Sequence, residues 1–220
     1  MLLSKNKLLY ALFDWDGTLS DNRNVVIEAM NNVLKEYNLG SWEDVRKLRN
    51  PRLSLWDNFV NFFGSQSTEA YEEYVRIYKR ISPQYVKAFP YASEVINILK
   101  EIGVEVMIMT NKDRRLLEIE LPLLYNPDIF SRIVCGHEAP KDKPYPEHIF
   151  YTLRGLLTPT EINQQNVWMI GDSNQDGDCA LSAGALPIMI NKNLFTDDVD
   201  KTSSVLYFQD FSSLYDALQK

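Results

Sequence analysis

Leu8-Leu9-Tyr10-Ala11-Leu12-Phe13 runs directly into Asp14-Trp15-Asp16-Gly17-Thr18, and this junction constrains the fold more than any other stretch of the chain. A short apolar run ended by charge reads as a strand buried on both faces, the pattern of a parallel sheet. Gly17 supplies a turn residue directly after the strand. Two carboxylates then sit at the strand's carboxyl end, where open α/β sheets place their ligands. The chemistry of the chain is expected to start there.

Beyond the junction the pattern changes character twice. Residues 22–88 read as helical, with no convincing strand. Val25-Val26-Ile27, Met30, Val33-Leu34 and Tyr37 recur at helical spacing. Gly40 and Ser41 break that helix, and Ser41 can cap the next. Leu53, Leu55-Trp56, Phe59-Val60 and Phe62-Phe63 form a second apolar face ended by Gly64, and Tyr71, Tyr74-Val75 and Tyr78 a third, ended near Pro83. Trp42, Trp56, Phe59, Phe62 and Phe63 are expected to be mostly core of this insert. From Pro90 onward, strands alternate with helices. Strands are predicted at 104–109, 133–135 and 167–170, with a last core strand at 187–190. Helices are predicted at 95–100, 146–157 and 178–183. Such alternation implies a mostly parallel sheet with right-handed crossovers. The expected fold is α/β, a Rossmann-like core of residues 1–20 and 89–220 with an all-helical insert of residues 21–88.

Charge and cysteine usage exclude some classes. The chain of 220 residues carries 23 Lys plus Arg against 30 Asp plus Glu, net −7. Nucleic-acid binding through a dense cationic surface is therefore not expected. An anionic substrate is compatible, because a bound metal ion inverts the local field. Residues 22–88 carry ten basic and eight acidic side chains, so the surplus of acid lies in the remainder. That distribution suits a carboxylate-held metal facing a lid that meets an anion, and a solvated helix face explains it equally well. Cys135 and Cys179 have no metal-ligand spacing and read as core thiols. Met1 to Lys7 is short and polar and the following apolar run is broken by Asp14, so no signal peptide or membrane helix is expected and the cytoplasm is the default compartment.

The polar residues predicted at strand ends are Asp14, Asp16, Thr110, Asn111 and Asp172, with Asp176 four residues after the last. Carboxylate oxygens with room for water are the ligands Mg²⁺ prefers. A carboxylate beside such an ion can attack phosphorus, and a second can protonate the leaving oxygen and later deprotonate water. Thr110 can donate a hydrogen bond to a phosphoryl oxygen and Lys143 can neutralise its charge.

These residues carry a resemblance to the haloacid dehalogenase-like superfamily, of the phosphoglycolate phosphatase-like type with a helical cap inserted after the first strand. Four stretches appear in order over about residues 8–190. They are Asp14-Trp15-Asp16-Gly17-Thr18-Leu19, Thr110-Asn111, Lys143-Pro144-Tyr145-Pro146, and Gly171-Asp172-Ser173-Asn174-Gln175-Asp176. The resemblance implies that Asp14 is the nucleophile and a Mg²⁺ ligand. It implies that Asp16 is the general acid/base and lends its backbone carbonyl to the metal. Asp172 would be a further ligand, and Asp176 would hold Lys143 or a metal-bound water. Thr110, Asn111 and Lys143 would bind phosphate. Family members that cleave carbon–halogen bonds lack the second aspartate, so Asp16 favours phosphoryl transfer. Pro90-Tyr91 stands where the family often has Pro-Gly, and Asp142 precedes Lys143 where Gly is usual, which leaves Lys141 as an alternative to Lys143.

The implied function is a Mg²⁺-dependent phosphatase acting on a small phosphorylated metabolite through an aspartyl phosphate, with neither nucleic acid nor membrane as partner. The alternatives are a phosphomutase of the same superfamily and a catalytically silent phosphate-binding protein. Arg49 and Arg52, flanking Asn50-Pro51, are candidates to bind an anionic substrate tail. Asp172 to Gly177 also matches the first half of a calcium-binding EF-hand loop, but Ala183 stands where that loop needs a bidentate Glu. His137 and His148 are expected at the surface or at helix caps.

Overall fold

A computed structural model describes residues 7–50, 53–190 and 204–220. Six strands form one parallel sheet: β1 (Tyr10–Phe13), β4 (Glu105–Met109), β5 (Arg132–Val134), β6 (Val167–Gly171), β7 (Leu186–Met189) and β8 (Leu206–Tyr207). Their spatial order is β5-β4-β1-β6-β7-β8. The apolar first strand is thus central, flanked by β4 and β6. Phe13 is in register with Ile108 on one side and with Ile170 on the other. Asp14 therefore lies one residue beyond that register, and Thr110 and Asp172 two. The chain's candidate polar residues emerge along one edge of the sheet.

Burial on both faces follows from the pleat. Ala11 and Phe13 join one apolar layer with Val95, Leu99, Leu117 and Phe211. These come from α5 (Ala92–Glu101), α6 (Arg114–Leu124) and α9 (Phe211–Leu218). Leu12, Met107 and Met169 face the opposite layer. That layer is closed by α7 (Glu147–Thr152) and α8 (Asn174–Ala183).

The helical insert has a core of its own. It comprises α1 (Arg23–Glu36), α2 (Trp42–Val45), α3 (Leu55–Phe63) and α4 (Ser67–Tyr85). Val25, Met30, Val33 and Leu34 of α1 pack with Tyr74, Ile77 and Tyr78 of α4. Each such side chain contributes about 1.5–3 kcal/mol when fully buried. Ser41 and Asp44 form a reciprocal capping box that starts α2. The chain leaves and re-enters the sheet domain through β2 (Ser20–Asp21) and β3 (Lys87–Ala88), an antiparallel pair with Ser20 opposite Ala88.

Several expectations need correction. The insert region is not free of strand, because β3 pairs with β2; a two-residue ladder has no periodicity to detect. The helix expected to end near Pro83 runs two residues past it, to Tyr85. The helix predicted over 146–157 stops at Thr152, and the chain then turns at Gly155, with φ of 78°. The strand at 187–190 is not the last, since β8 and α9 come after it. The insert's aromatics are mostly core, as expected: Trp42, Phe59, Phe62 and Phe63 are buried, and Trp56, 42% exposed, is the exception among the five. Cys135 and Cys179 are free and buried, as expected. Among the described residues no helix is long and apolar enough to cross a membrane.

Candidate active site

The site is built where β1 and β6 end. Gly17, at φ of 80°, turns the chain off β1 in a conformation that side chains rarely adopt. The turn is closed by Gly17 N donating to the Ser20 carbonyl at 3.0 Å and Ser20 N donating to that of Trp15 at 2.9 Å. Asp14 stays aligned with the sheet, its N–H donating to the Ile170 carbonyl at 2.9 Å. Asp172 directly succeeds β6, and Asp176 sits in the first turn of α8, where Ser173 and Asp176 form a capping box. A side chain at Gly171 would overlap the Asp176 carboxylate, so the close approach of helix to strand requires glycine there.

Asp14, Asp172 and Asp176 are all buried, and each offers an oxygen within 4.8 Å of the others. Lys143 Nζ lies 2.6 Å from Asp14 Oδ1 and 2.6 Å from Asp176 Oδ1. Asp176 Oδ2 accepts from Ser173 N at 3.0 Å and from Ser173 Oγ at 2.6 Å. Both oxygens of Asp176 are thus engaged, and this residue anchors the lysine. Among the described residues, Asp172 accepts a long 3.4 Å bond from Thr18 Oγ1.

The electrostatics of this cluster are unbalanced. Burial, with Asp176 and Asp16 nearby, outweighs the attraction of Lys143 and pushes the Asp14 carboxyl up to about 7. Burial and then the charges of Asp14 and Asp176 push Asp172 well above the ordinary carboxylate range. Burial alone disfavours the Lys143 cation, but Asp14 and Asp176 outweigh it and raise its pKa. One ammonium among three buried carboxylates leaves surplus negative charge in a low dielectric. A divalent cation would offset it, and the hard oxygen donors of Asp14 and Asp172 fit Mg²⁺.

The loop carrying Lys143 is held by side chains. Asn111 Nδ2 donates to the Lys143 carbonyl at 2.8 Å, and Lys143 N donates to Asn111 Oδ1 at 3.0 Å. Lys143 N also donates to His148 Nδ1 at 3.2 Å. His148 sits in the first turn of α7, near the helix-cap position that is one of its two expected places, but it is fully buried and not at the surface, because α7 turns it inward under the lysine loop. Burial, and then the Lys143 charge, depresses its pKa to about 3. Lys141, the alternative to Lys143, is exposed and pairs with Glu147 at 2.8 Å, away from the cluster.

Of the remaining candidates, Thr110 is buried beside the end of β1, its Oγ1 accepting from Lys112 N at 3.2 Å. The side chain of Asn111 is committed to the Lys143 backbone and to Gln175 Oε1, at 3.2 Å. The Asp16 carboxylate is held on one side by neighbours other than the Asp14 group. Its Oδ1 accepts from Lys112 Nζ at 2.7 Å and from Asn22 Nδ2. Arg49 is solvent-exposed but crowded by its neighbours, which lowers its pKa, while attraction to Asp172 and Asp16 opposes that shift. Arg52 lies outside the described residues.

A profile of the haloacid dehalogenase-like hydrolase family matches residues 11–190. The chain belongs to this family and is an enzyme of the hydrolase kind. It is 26% identical over 205 residues to the putative pyrophosphatase PpaX of Caldanaerobacter subterraneus, covering 92% of this chain and 90% of that protein. It is 28% identical over 172 residues to the pyrophosphatase PpaX of Bacillus cereus, covering 77% of each. Among solved structures, the fold resembles that of CbbY from Rhodobacter sphaeroides in complex with phosphate. The TM-score is 0.79 at 17% identity, and all of both chains is covered. It also resembles a putative phosphoglycolate phosphatase from Lactobacillus plantarum, with a TM-score of 0.75 at 17% identity over 96% of this chain and 99% of that one.

Sequence reasoning missed Lys112, Glu120, Asn22, Gln175 and the buried role of His148. For Glu120 a signal exists. It falls on the same helical face as Leu116, Leu117 and Leu121, where a carboxylate is out of place unless something pairs with it. Lys112 carries no such signal, since lysines beyond strand ends are usually solvated.

Proposed function

We propose that this chain is a Mg²⁺-dependent phosphatase of the cytoplasm that hydrolyses a small phosphorylated metabolite through a phosphorylated Asp14. The observation that supports this most is the Asp14–Lys143–Asp176 arrangement beside Asp172 at the joint ends of β1 and β6. In the first step a carboxylate oxygen of Asp14 attacks phosphorus and the bond to the leaving oxygen breaks. Asp16 gives that oxygen its proton. In the second step Asp16 takes a proton from water, whose oxygen attacks phosphorus, releasing phosphate and restoring Asp14. Lys143 and Thr110 face the phosphoryl oxygens and stabilise charge there. Mg²⁺, held by Asp14, Asp172 and the backbone carbonyl of Asp16, would supply charge neutralisation at the phosphoryl group.

Residues 21–88 act in this reading as a cap over the site, and residues 1–20 and 89–220 as the core. The apolar core of α1–α4, which Leu116 of α6 joins, and the paired crossings β2 and β3 support that division. Arg49, near Asp172 and Asp16, is the cap residue assigned to an anionic substrate group, with Arg52 beside it in sequence.

The experiment is phosphate release from pyrophosphate, small phosphorylated acids and sugar mono- and bisphosphates, with Mg²⁺ or chelator and with Asp14→Asn as control. Metal-dependent release that the variant lacks is the expected result. Phosphoryl return to a sugar in place of release would make the chain a mutase. Failure to form any phosphorylated Asp14 would overturn the reading in favour of a silent phosphate-binding protein.

A further inference from the structure

Behind Asp16 lies a second buried charge cluster. Glu120, on α6, has no exposed surface. Its carboxylate accepts from the Trp15 indole Nε1 at 2.5 Å, from the Tyr78 hydroxyl, and from Asn22 Nδ2 at 3.4 Å. Lys112, also buried, stands between this carboxylate and Asp16. Its Nζ lies 3.4 Å from Glu120 Oε2, 3.0 Å from the Tyr78 hydroxyl and 2.7 Å from Asp16 Oδ1. An ammonium has three protons, and three acceptors surround this one. Burial works against the Lys112 charge, yet Asp16 and Glu120 outweigh it and raise its pKa.

Five segments meet here: the loop after β1 (Trp15), the crossing to the helical layer (Asn22), α4 (Tyr78), the loop after β4 (Lys112) and α6 (Glu120). A buried ion pair is a poor stabiliser compared with apolar packing, and the face of α6 that carries Glu120 is otherwise leucine. What a fully partnered charge does supply is direction. Glu120 and Tyr78 fix where the Lys112 ammonium points, and that ammonium fixes one side of the Asp16 carboxylate. The Asp16 side chain keeps 40% of its surface open to solvent, so its other side remains available to reacting groups.

We propose that Glu120 and Lys112 are positioning residues for Asp16, and that the Tyr78 hydroxyl makes this positioning depend on the seating of the helical layer. The proposal rests on the reading of Asp16 as the acid/base. Lys112 donates to Asp16 and to the Tyr78 hydroxyl and is ion-paired with Glu120, and in this proposal it serves Asp16 and not the substrate.

The test combines kinetics with a readout that needs no turnover. In Glu120→Gln and Lys112→Met, kcat should fall about 10–100-fold with KM within about threefold of wild type, because the loss is of orientation and not of binding. Lys112→Arg, which keeps the charge, should recover part of the loss. Tyr78→Phe keeps the ring packing and should lower kcat several-fold. Independently, the Trp15 indole N–H resonance should shift in Glu120→Gln, in Lys112→Met and in Asp16→Asn, as one connected network requires. Wild-type kcat in folded Glu120→Gln would overturn the proposal, and so would a raised KM at unchanged kcat in Lys112→Met. Unchanged kcat in Tyr78→Phe would overturn the dependence on the helical layer. If wild type releases no phosphate while the indole resonance responds to Asp16→Asn, the functional reading fails and the network stands. An indole resonance indifferent to Asp16→Asn overturns the network itself.

Discussion

Lys143 Nζ lies 2.6 Å from Asp14 Oδ1, although 129 residues separate them along the chain. The contact is charge-assisted, almost without solvent, and shared with Asp176. It unites two stretches of sequence far removed from one another, and its consequences can be measured one at a time.

Lys143→Met should lower kcat by at least about 10³-fold, since it removes the cation facing both Asp14 and the phosphoryl oxygens. It also strands two buried carboxylates, a change that typically destabilises by about 3–5 kcal/mol. Lys141→Met, at an exposed pair with Glu147, should leave kcat within about twofold of wild type. Steady-state phosphate release with a parallel thermal melt distinguishes the two lysines; equal losses would contradict the placement described above.

Metal linkage is a second consequence. Mg²⁺ should raise the melting temperature of the wild-type protein, with about 2.7 kcal/mol of stabilisation at 100 times the dissociation constant. Asp172→Asn should abolish most of that shift. The same variant should melt higher than wild type in chelator, because it removes a carboxyl that burial, and then the charges of Asp14 and Asp176, push upward. Thermal denaturation of both proteins with and without Mg²⁺ provides the check, and a Mg²⁺ shift retained in the variant would remove Asp172 from the ligand set.

His148 predicts a specific acid sensitivity. Its folded pKa of about 3 lies below the ordinary value of 6.5, so between these values the unfolded chain binds a proton that the folded chain refuses. The stability from this group is complete above about pH 6.5 and falls as pH drops toward 3, by about 1.4 kcal/mol per pH unit. From pH 7.5 to pH 5 the loss is therefore about 2 kcal/mol. Urea unfolding at the two pH values should show this loss in wild type, reduced in His148→Asn. An identical pH dependence in both proteins would mean that His148 is protonated in the fold.

Asn111→Ala removes both side-chain bonds to the Lys143 backbone. The expected effect is a fall in kcat of about tenfold with little change in KM, the signature of a misplaced group and not of a lost substrate contact. Full kinetic curves for the variant decide it; a rise in KM alone would assign Asn111 to the substrate.

Much of the core was legible in the residues. The run from Leu8 to Phe13, the alternation after Pro90 and the acids at strand ends are local patterns with local causes, and they appear in the structure as β1, β4 and β6 with Asp14, Asp172 and Asp176 beyond them. Short or atypical elements were not legible. The β2–β3 ladder is two residues long, and α7 is cut short by turns in a stretch that looks helical throughout.

The sequence by itself determined which polar side chains would emerge and at which end of which strands, because strand burial and turn residues are set by neighbours in the chain. The tertiary structure alone decided how those groups are partnered. Lys143 rather than Lys141 enters the acid cluster, Asp16 pairs with Lys112, and Glu120 lies buried between Trp15 and Tyr78. The physical reason is that a charge in a low-dielectric interior is governed by whatever long-range packing brings within a few ångströms, and sequence spacing does not encode those distances.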